Sequence, residues 1–506
     1  MQKRKVTIKN IIGYACINFL GSGAQALISA FLMYFYTTLC GLGAVEASLI
    51  FSVARLIDAV GNPIIGYISD NFGRTAIGKK FGRRRFFILI GAPAILITFP
   101  ILWTTGHSFT FYFLANLIYE ICFTMVIVTG ITLPAEMTQD SADKTKLVAG
   151  KQYCGTIAST IATFIPGILF KMYGDKSSTA FLLTGIIYGA MISLSLLVMY
   201  ALTFERDPKD IIYKEDSNHG ILHILAKMFI DVGSSMQIKA FRLHAAMMFL
   251  IGIYKNLAGG VFTYYVIFVL GLTASTTAFI SSATTLISTI ALTIAIAVAY
   301  KFGGPKTFRV SSIVILASLV GYYVLSKMTG SPNLTVLLIV LAVINTAGKA
   351  GADYVPVFQL PFIADIDEAV TLERREGIYT GVNSLLSKVA AAIEAAVLGV
   401  GLAAFGFVKG AKTQTPEAID GILLVTILVP AIFLVLTWIV SLRLKLTKEN
   451  HKLLVDEVNR IKAGGAKADV TPEARAAIEE LTGYKYEQCF GNNNVGYQTK
   501  NNAATI

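Results

Sequence analysis

Residues 11–40 read IIGYACINFLGSGAQALISAFLMYFYTTLC, and residues 44–72 follow as AVEASLIFSVARLIDAVGNPIIGYISDNF. The first run holds no charged side chain and exceeds the roughly 20 apolar residues that carry a helix across a bilayer. It follows the basic start Gln2-Lys3-Arg4-Lys5. It is too long for a signal-peptide core and has no small-residue cleavage site, so it reads as a retained first membrane helix. The second run is apolar around Arg55, Asp58 and Asn62, which share one helix face at i, i+3, i+7.

Working outward, apolar segments recur near 44–68, 86–105, 109–134, 147–171, 179–203, 241–270, 274–300, 310–326, 334–361, 376–407 and 421–443. With the first they predict twelve spans. The composition agrees: of 506 residues 55% are hydrophobic and 15% charged, more apolar surface than a water-soluble domain can cover. The runs are continuous, not alternating ten-residue strands, which excludes a transmembrane barrel. The fold class expected is all-α and integral to the membrane. The formal charge of +12 lies in short loops between apolar runs, which fits membrane orientation better than nucleic-acid binding. Lys3, Arg4, Lys5 and Lys9, the run Arg74 to Arg85 after span two, and Lys301, Lys306 and Arg309 after span eight fall in alternate loops on one side, while the loops after spans one, three and seven contain no Lys or Arg. The positive-inside rule then places both termini in the cytoplasm of a plasma or inner membrane. The cysteines, Cys16, Cys40, Cys122, Cys154 and Cys489, form no CxxC pair, so free thiols and no metal site are expected.

A polar stretch divides the spans six and six, and the basic loop after span two has a shorter counterpart, Tyr300–Arg309, after span eight. The organisation expected is a bundle over 1–203, a central cytoplasmic loop over 204–240, a second bundle over 241–445 and a cytoplasmic tail over 446–506, part helical and part disordered. Carriers built from two such halves hold solute between them at the midplane and alternate access by rocking. There is no P-loop, HExxH, GxSxG or dinucleotide fingerprint. No enzyme and no cofactor are expected; an ion gradient or the solute's own gradient supplies the energy.

Ionisable groups within spans are costly unless paired or hydrated, so each is a functional candidate. Asp58 and Asn62 offer oxygens that suit a sodium ion, while an Arg55–Asp58 pair that only holds helices together is the alternative. On span four Asn116, Glu120 and Thr124 repeat every four residues. A carboxylate at Glu120's depth either holds its proton or finds a cation. Asn18, Ser22, Gln25 and Ser29 form an uncharged stripe on span one that suits a polyol, or else interhelical hydrogen bonds. Lys349 and Asp353 on span ten are four apart and expected to neutralise each other. Lys255, nearer a span end, is expected to snorkel. Thr380, Ser384 and Lys388 share a face of span eleven, with Glu394 deeper; Lys388 has no partner on its own helix and needs a carboxylate across the bundle or a solute oxygen. The loop carrying Asp365, Asp367, Glu368, Arg375 and Glu376 suggests a gate of moderate ion pairs, or a plain solvated loop.

Arg55-Leu56-Ile57-Asp58-Ala59-Val60-Gly61-Asn62-Pro63, Ser69-Asp70, Gly82-Arg83-Arg84-Arg85, Asp365-Ile366-Asp367, Arg375-Glu376-Gly377-Ile378-Tyr379 and Lys388 together resemble the glycoside-pentoside-hexuronide:cation symporters. These are the melibiose-carrier branch of the major facilitator superfamily, and the likeness covers most of 10–445. It implies twelve helices in two six-helix bundles, with Na+ or H+ as coupling ion and membrane lipid around the chain. It places the cation site at Asp58 and Thr124. Where many members have Asn-Asp before the proline, this chain has Gly61-Asn62, and Glu120 is our candidate for the missing charge. The melibiose carrier's helix-one Lys-Asp pair falls at Gly21-Ser22 and its helix-four sugar carboxylate at Ile127, so its galactoside site is not reproduced. The helix-five arginine appears as Lys151, and the helix-eleven lysine is kept as Lys388. The solute site expected is therefore Asn18, Ser22, Gln25, Lys151, Ser384 and Lys388, with Arg83, Arg84, Asp365, Asp367, Arg375 and Glu376 at the gate. Retained lysines with fewer carboxylates suit a hexuronide or glucuronide. An uncoupled uniporter and a carrier of lysolipids or organic anions are the alternatives.

Overall fold

The computed structural model describes residues 6–138, 140–205, 221–373, 375–493 and 495. Twelve helices follow the apolar runs: α1 Ile8–Thr38, α2 Ala44–Phe72, α3 Arg85–Ile101, α4 Phe109–Met137, α5 Ser141–Tyr173 and α6 Ser178–Leu202. After the linker come α7 Lys239–Val269, α8 Ala274–Phe302, α9 Gly304–Ser326, α10 Leu334–Thr371, α11 Glu376–Ala404 and α12 Pro416–Arg443. Among the described residues there is no strand, and 10 of these helices are long and apolar enough to cross a membrane. The two that fall short have physical reasons. α2 carries Glu46, Arg55, Asp58 and Asp70, and α3 is only 17 residues long.

Local sequence sets the ends. The side-chain oxygens of Thr7, Ser108, Ser177 and Thr273 accept backbone N–H groups at helix starts, which satisfies donors that have no intrahelical partner. Gly174 and Gly303, at φ 93° and 86°, end α5 and α8 in backbone that a side chain would strain. α1 widens into π turns at Phe19–Ala24 and Ile28–Leu32, so the expected polar stripe does not run down one face of a regular helix.

In the N-terminal half α2 packs on α4, α3 on α4 and α6, and α1 on α5 and α6; in the C-terminal half α9 and α8 pack on α10, and α7 on α11 and α12. The halves meet along α2–α11 and α5–α8. Their joint runs from one end of the molecule down to mid-depth. Gly410 N–H donates to the Thr37 carbonyl at 3.1 Å, Thr37 and Tyr264 share a hydroxyl hydrogen bond of 2.7 Å, and Ser275 Oγ donates to the Gly167 carbonyl at 3.0 Å. Deeper in, Thr163 meets Ser282 at 2.8 Å, Ser52 donates to the Ala392 carbonyl at 2.8 Å, and Lys388 reaches Asp58.

Part of the expected central loop, 206–220, lies outside the described residues, but Ile221–Ser235 is a helix packed on α2 and α11. Helical segments lie in the expected tail, of which 494 and 496–506 are outside the described residues. Helices Lys448–Lys462 and Pro472–Thr482 dock on the last turns of α10 and on α7. Gly464, at φ 90°, makes the turn after the first of them. Phe490 and Gly491 donate their N–H groups to the Ala369 and Val370 carbonyls, both at 2.9 Å, which satisfies acceptors the end of α10 would otherwise leave open.

Candidate functional site

The mid-depth of α2 faces α4 on one side and α11 on the other. Asp58 is 2% exposed. Its Oδ1 accepts the Thr124 hydroxyl at 2.5 Å and its Oδ2 meets Lys388 Nζ. The pair spans the two halves, and with the Asp58 carboxylate buried each charge depends on the other. Spacing of i and i+4 on α4 brings Glu120 beside Arg55, one turn from Asp58 on α2: Arg55 Nη1 lies 3.3 Å from Glu120 Oε1, and Nη2 donates to Gln25 Oε1 at 2.7 Å. The Arg55–Asp58 pair weighed from the sequence does not form as a direct contact, because each residue has a partner on a neighbouring helix. Glu120 is likewise not isolated.

Asn62 is half-buried and makes no side-chain hydrogen bond among the described residues, so it adds no ligand to Asp58 in this arrangement. The residues expected to meet solute separate. Asn18 Nδ2 donates to the Lys151 carbonyl at 2.7 Å, joining α1 to α5, and Gln25 is held by Arg55. Gly155 of α5 leaves room for this crossing; a Cβ there would lie 2.5 Å from Asn18 Nδ2 and 2.9 Å from Ser22 Oγ. Lys151 is half-buried, Ser384 is exposed, and neither side chain has an ion-pair or hydrogen-bond partner among the described residues. Lys388, expected to need a carboxylate across the bundle or a solute oxygen, has the carboxylate, Asp58 of α2.

One further expectation is corrected. Asp353 pairs with Lys255 of α7 at 3.1 Å rather than with Lys349, and Lys349 is left without an ion pair among the described residues. The cross-helix geometry outweighs spacing along one helix. The expected gate residues pair inside their own halves. Arg83 meets Glu136 at 2.6 Å and Arg84 meets Asp70 at 2.7 Å. Arg375 binds Asp367 through a fork of 2.8 and 2.5 Å, and Asp365 meets His451 of the tail at 2.9 Å. The Glu376 side chain lies outside the described residues. Sequence reading missed Glu205: its carboxylate accepts the backbone N–H groups of Arg83, Arg84 and Arg85 at 2.9, 2.9 and 2.5 Å. A lone Glu just past the end of α6 carried no periodic signal.

This architecture, two packed halves with polar groups concentrated where they meet, defines a multi-pass membrane carrier of the major facilitator fold, not an enzyme. Residues 13–448 match the family described as MFS/sugar transport protein, and the chain belongs to that family. It is 26% identical to the uncharacterized symporter YnaJ of Bacillus subtilis (strain 168), over 90% of this chain and 95% of that one. It is 24% identical to the isoprimeverose transporter of Lactiplantibacillus pentosus (90% and 92% covered) and 22% identical to the glucuronide carrier protein homolog of Escherichia coli (strain K12; 91% and 97% covered). Among solved structures, a bacterial homologue of the lysosomal transporter Spinster in an inward-facing, unoccupied conformation shares the fold. Its TM-score is 0.60 at 13% identity, covering 86% of this chain and 97% of that one. The nucleoside transporter NupG shares it at TM-score 0.59 and 13% identity, with 86% and 98% covered.

Proposed function

We propose that the chain is a cation-coupled symporter of a sugar or glycoside in the plasma or inner membrane, with both termini and the tail in the cytoplasm. In this reading 1–203 and 241–445 rock as bundles about the loop 204–240, and the joint described above closes the outer face while the opposite end opens to the cytoplasm. The observation that carries the reading is Asp58. A carboxylate 2% exposed, with a hydroxyl on one oxygen and a lysine on the other, is a site where a transported Na+ or H+ exchanges with the Lys388 ammonium. Arrival of the ion frees Lys388 from Asp58 and loosens the bond between the halves. Lys388 is then available to a solute oxygen, so ion and solute bind in support of each other. Glu120 belongs to the neighbouring Arg55 pair and tunes the site rather than completing it.

The solutes named for the relatives, glucuronide and isoprimeverose, support a sugar or glycoside as the class. Lys151 and Lys349, each without an ion pair among the described residues, favour an anionic sugar such as a hexuronide over a neutral pentoside. The test is uptake into proteoliposomes of methyl glucuronide and methyl xyloside under sodium, lithium or proton gradients. Accumulation should follow one cation, and Asp58→Asn should abolish accumulation while sparing solute exchange. Full accumulation by Asp58→Asn would refute coupling at this carboxylate and favour the uniporter.

A further inference from the structure

The charges at mid-depth between α2, α4 and α11 do not balance. Asp58, Glu120 and Glu394 are three carboxylates; Arg55 and Lys388 are two cations. Lys388 is taken by Asp58 and Arg55 by Glu120. Glu394 is half-buried and has neither an ion pair nor a hydrogen bond among the described residues. The antiparallel register of α2 and α11 sets Asp58 beside Lys388 and Ser52 beside Ala392. A Cβ on Gly399 would reach Ser48, so Arg55 and Glu394 fall on the adjoining turns of the same seam. Gly260 of α7 gives the carboxylate its room: a Cβ there would stand 3.0 Å from Glu394 Oε1. A second observation points to the same place. Glu120, 4% exposed, leaves its buried Oε2 without a hydrogen-bond partner, and the buried Gln25 Nε2 is also unsatisfied. The Arg55–Glu120 contact is thus single-pronged, and a guanidinium with five donors has hydrogen bonds to spare.

The other charged groups brought towards Glu394 are accounted for. α7 offers Lys255, which Asp353 of α10 holds. His244 of α7 sits nearer the opposite end, beside Asn383 at 3.4 Å. Lys349 of α10 neighbours the Lys255–Asp353 pair along its own helix, and Lys388 is a turn and a half away on α11 in contact with Asp58.

We propose that Glu394 is a second proton-binding site of the carrier, distinct from the Asp58 site, and that Arg55 is its switchable partner. With its proton on, Glu394 leaves Arg55 to Glu120, as in the arrangement described. When the proton passes to water in the opening between the halves, the carboxylate accepts a hydrogen bond from Arg55. The guanidinium then bridges Glu120 of one half and Glu394 of the other, drawing α11 onto α2. Proton binding therefore loosens the joint and proton loss tightens it. The inference rests on the alternating-access reading above but not on coupling through Asp58.

The test uses the full-length protein in proteoliposomes carrying Ser275→Cys, a position on the closed joint. Its alkylation by a membrane-impermeant maleimide is followed site by site by mass spectrometry, so the native cysteines do not interfere. Between about pH 5 and about pH 9 the alkylation rate, divided at each pH by that of the same cysteine in denaturant-unfolded protein to remove the reagent's dependence on thiolate, should fall roughly five-fold or more. Glu394→Gln should flatten that response at the fast, acid-like rate, and Glu394→Asp should keep a pH response. An unchanged pH response in a folded, monodisperse Glu394→Gln protein overturns the proposal. A response lost equally in Glu394→Asp makes Glu394 a packing residue and overturns it as well. Repeating the scan in Asp58→Asn separates the two readings: a pH response that persists there, with accumulation lost, supports both. Accumulation retained with the Glu394 response intact removes only the Asp58 reading.

Discussion

Gly399 tests the rocking geometry without touching a charge. A Cβ at this position of α11 would lie 2.2 Å from Ser48 Cβ, 2.3 Å from Ser48 Oγ and 2.6 Å from the Ala44 carbonyl oxygen of α2. Carbon atoms rest at roughly 3.5–4 Å, so Gly399→Ala forces the two helices apart by about an ångström. Overpacking of this kind costs about 1–3 kcal/mol. The cost falls only on the state in which α2 and α11 are joined at this end, because parted helices have no clash to relieve. The population ratio of open to closed outer faces should therefore rise roughly 5–150-fold. Alkylation at Ser275→Cys from outside should accelerate by a comparable factor up to full opening, with accumulation reduced. Ser48→Gly removes two of the three clashing atoms and leaves the Ala44 carbonyl, so the double variant should recover part of the closed population. Unchanged alkylation in Gly399→Ala, or a double variant no closer to the parent than the single one, would refute the claim that this seam opens.

Two other predictions concern the end of the molecule bearing the basic loop. Glu205→Ala removes the acceptor for three backbone N–H groups at the start of α3. Since hydrogen bonds to a charged group contribute about 1.5–3 kcal/mol each, the melting temperature should drop by several degrees. Glu205→Asp should recover part of it, and an unchanged melting curve would contradict the assignment. In the tail, Arg460 grips Glu457 with two bonds of 2.8 Å, and this hydrogen bonding, against the opposing effect of desolvation and with help from Tyr486, holds the carboxyl below its ordinary 4.5. A lowered carboxyl stabilises the folded tail above the unfolded value, and that contribution is lost as pH falls through the folded one. Hydrogen exchange across Lys448–Lys462, corrected for its intrinsic rate, should therefore rise below about pH 4.5. Glu457→Gln should show the faster exchange already at neutral pH.

The sequence made the membrane class and the helical halves legible because hydrophobic length is a one-dimensional property: a run such as 11–40 spans a bilayer whatever packs beside it. It also pointed to Asp58, Glu120, Thr124 and Lys388 as charges and hydroxyls at depth, since such groups are rare there. It did not give their pairing. Spacing along α2 offered Arg55 with Asp58 as an alternative, and spacing along α10 favoured Lys349 with Asp353, yet in both cases a residue on a neighbouring helix took the partner. The Arg55, Asp58, Glu120, Thr124 and Lys388 contacts join residues as far apart as 330 positions, and no periodicity encodes which helix lies opposite. Small residues carried more of that information than the charges did. Gly399 lets α11 reach Ser48, Gly155 lets α1 cross α5, and Gly260 leaves room for Glu394; each is unremarkable in an apolar run and decisive once two helices meet there. The joint between the halves is thus written mainly in what is missing from the side chains. That is why a single methyl at position 399 should move the carrier between its two faces, when removing a surface ion pair such as Arg475–Glu479 should not.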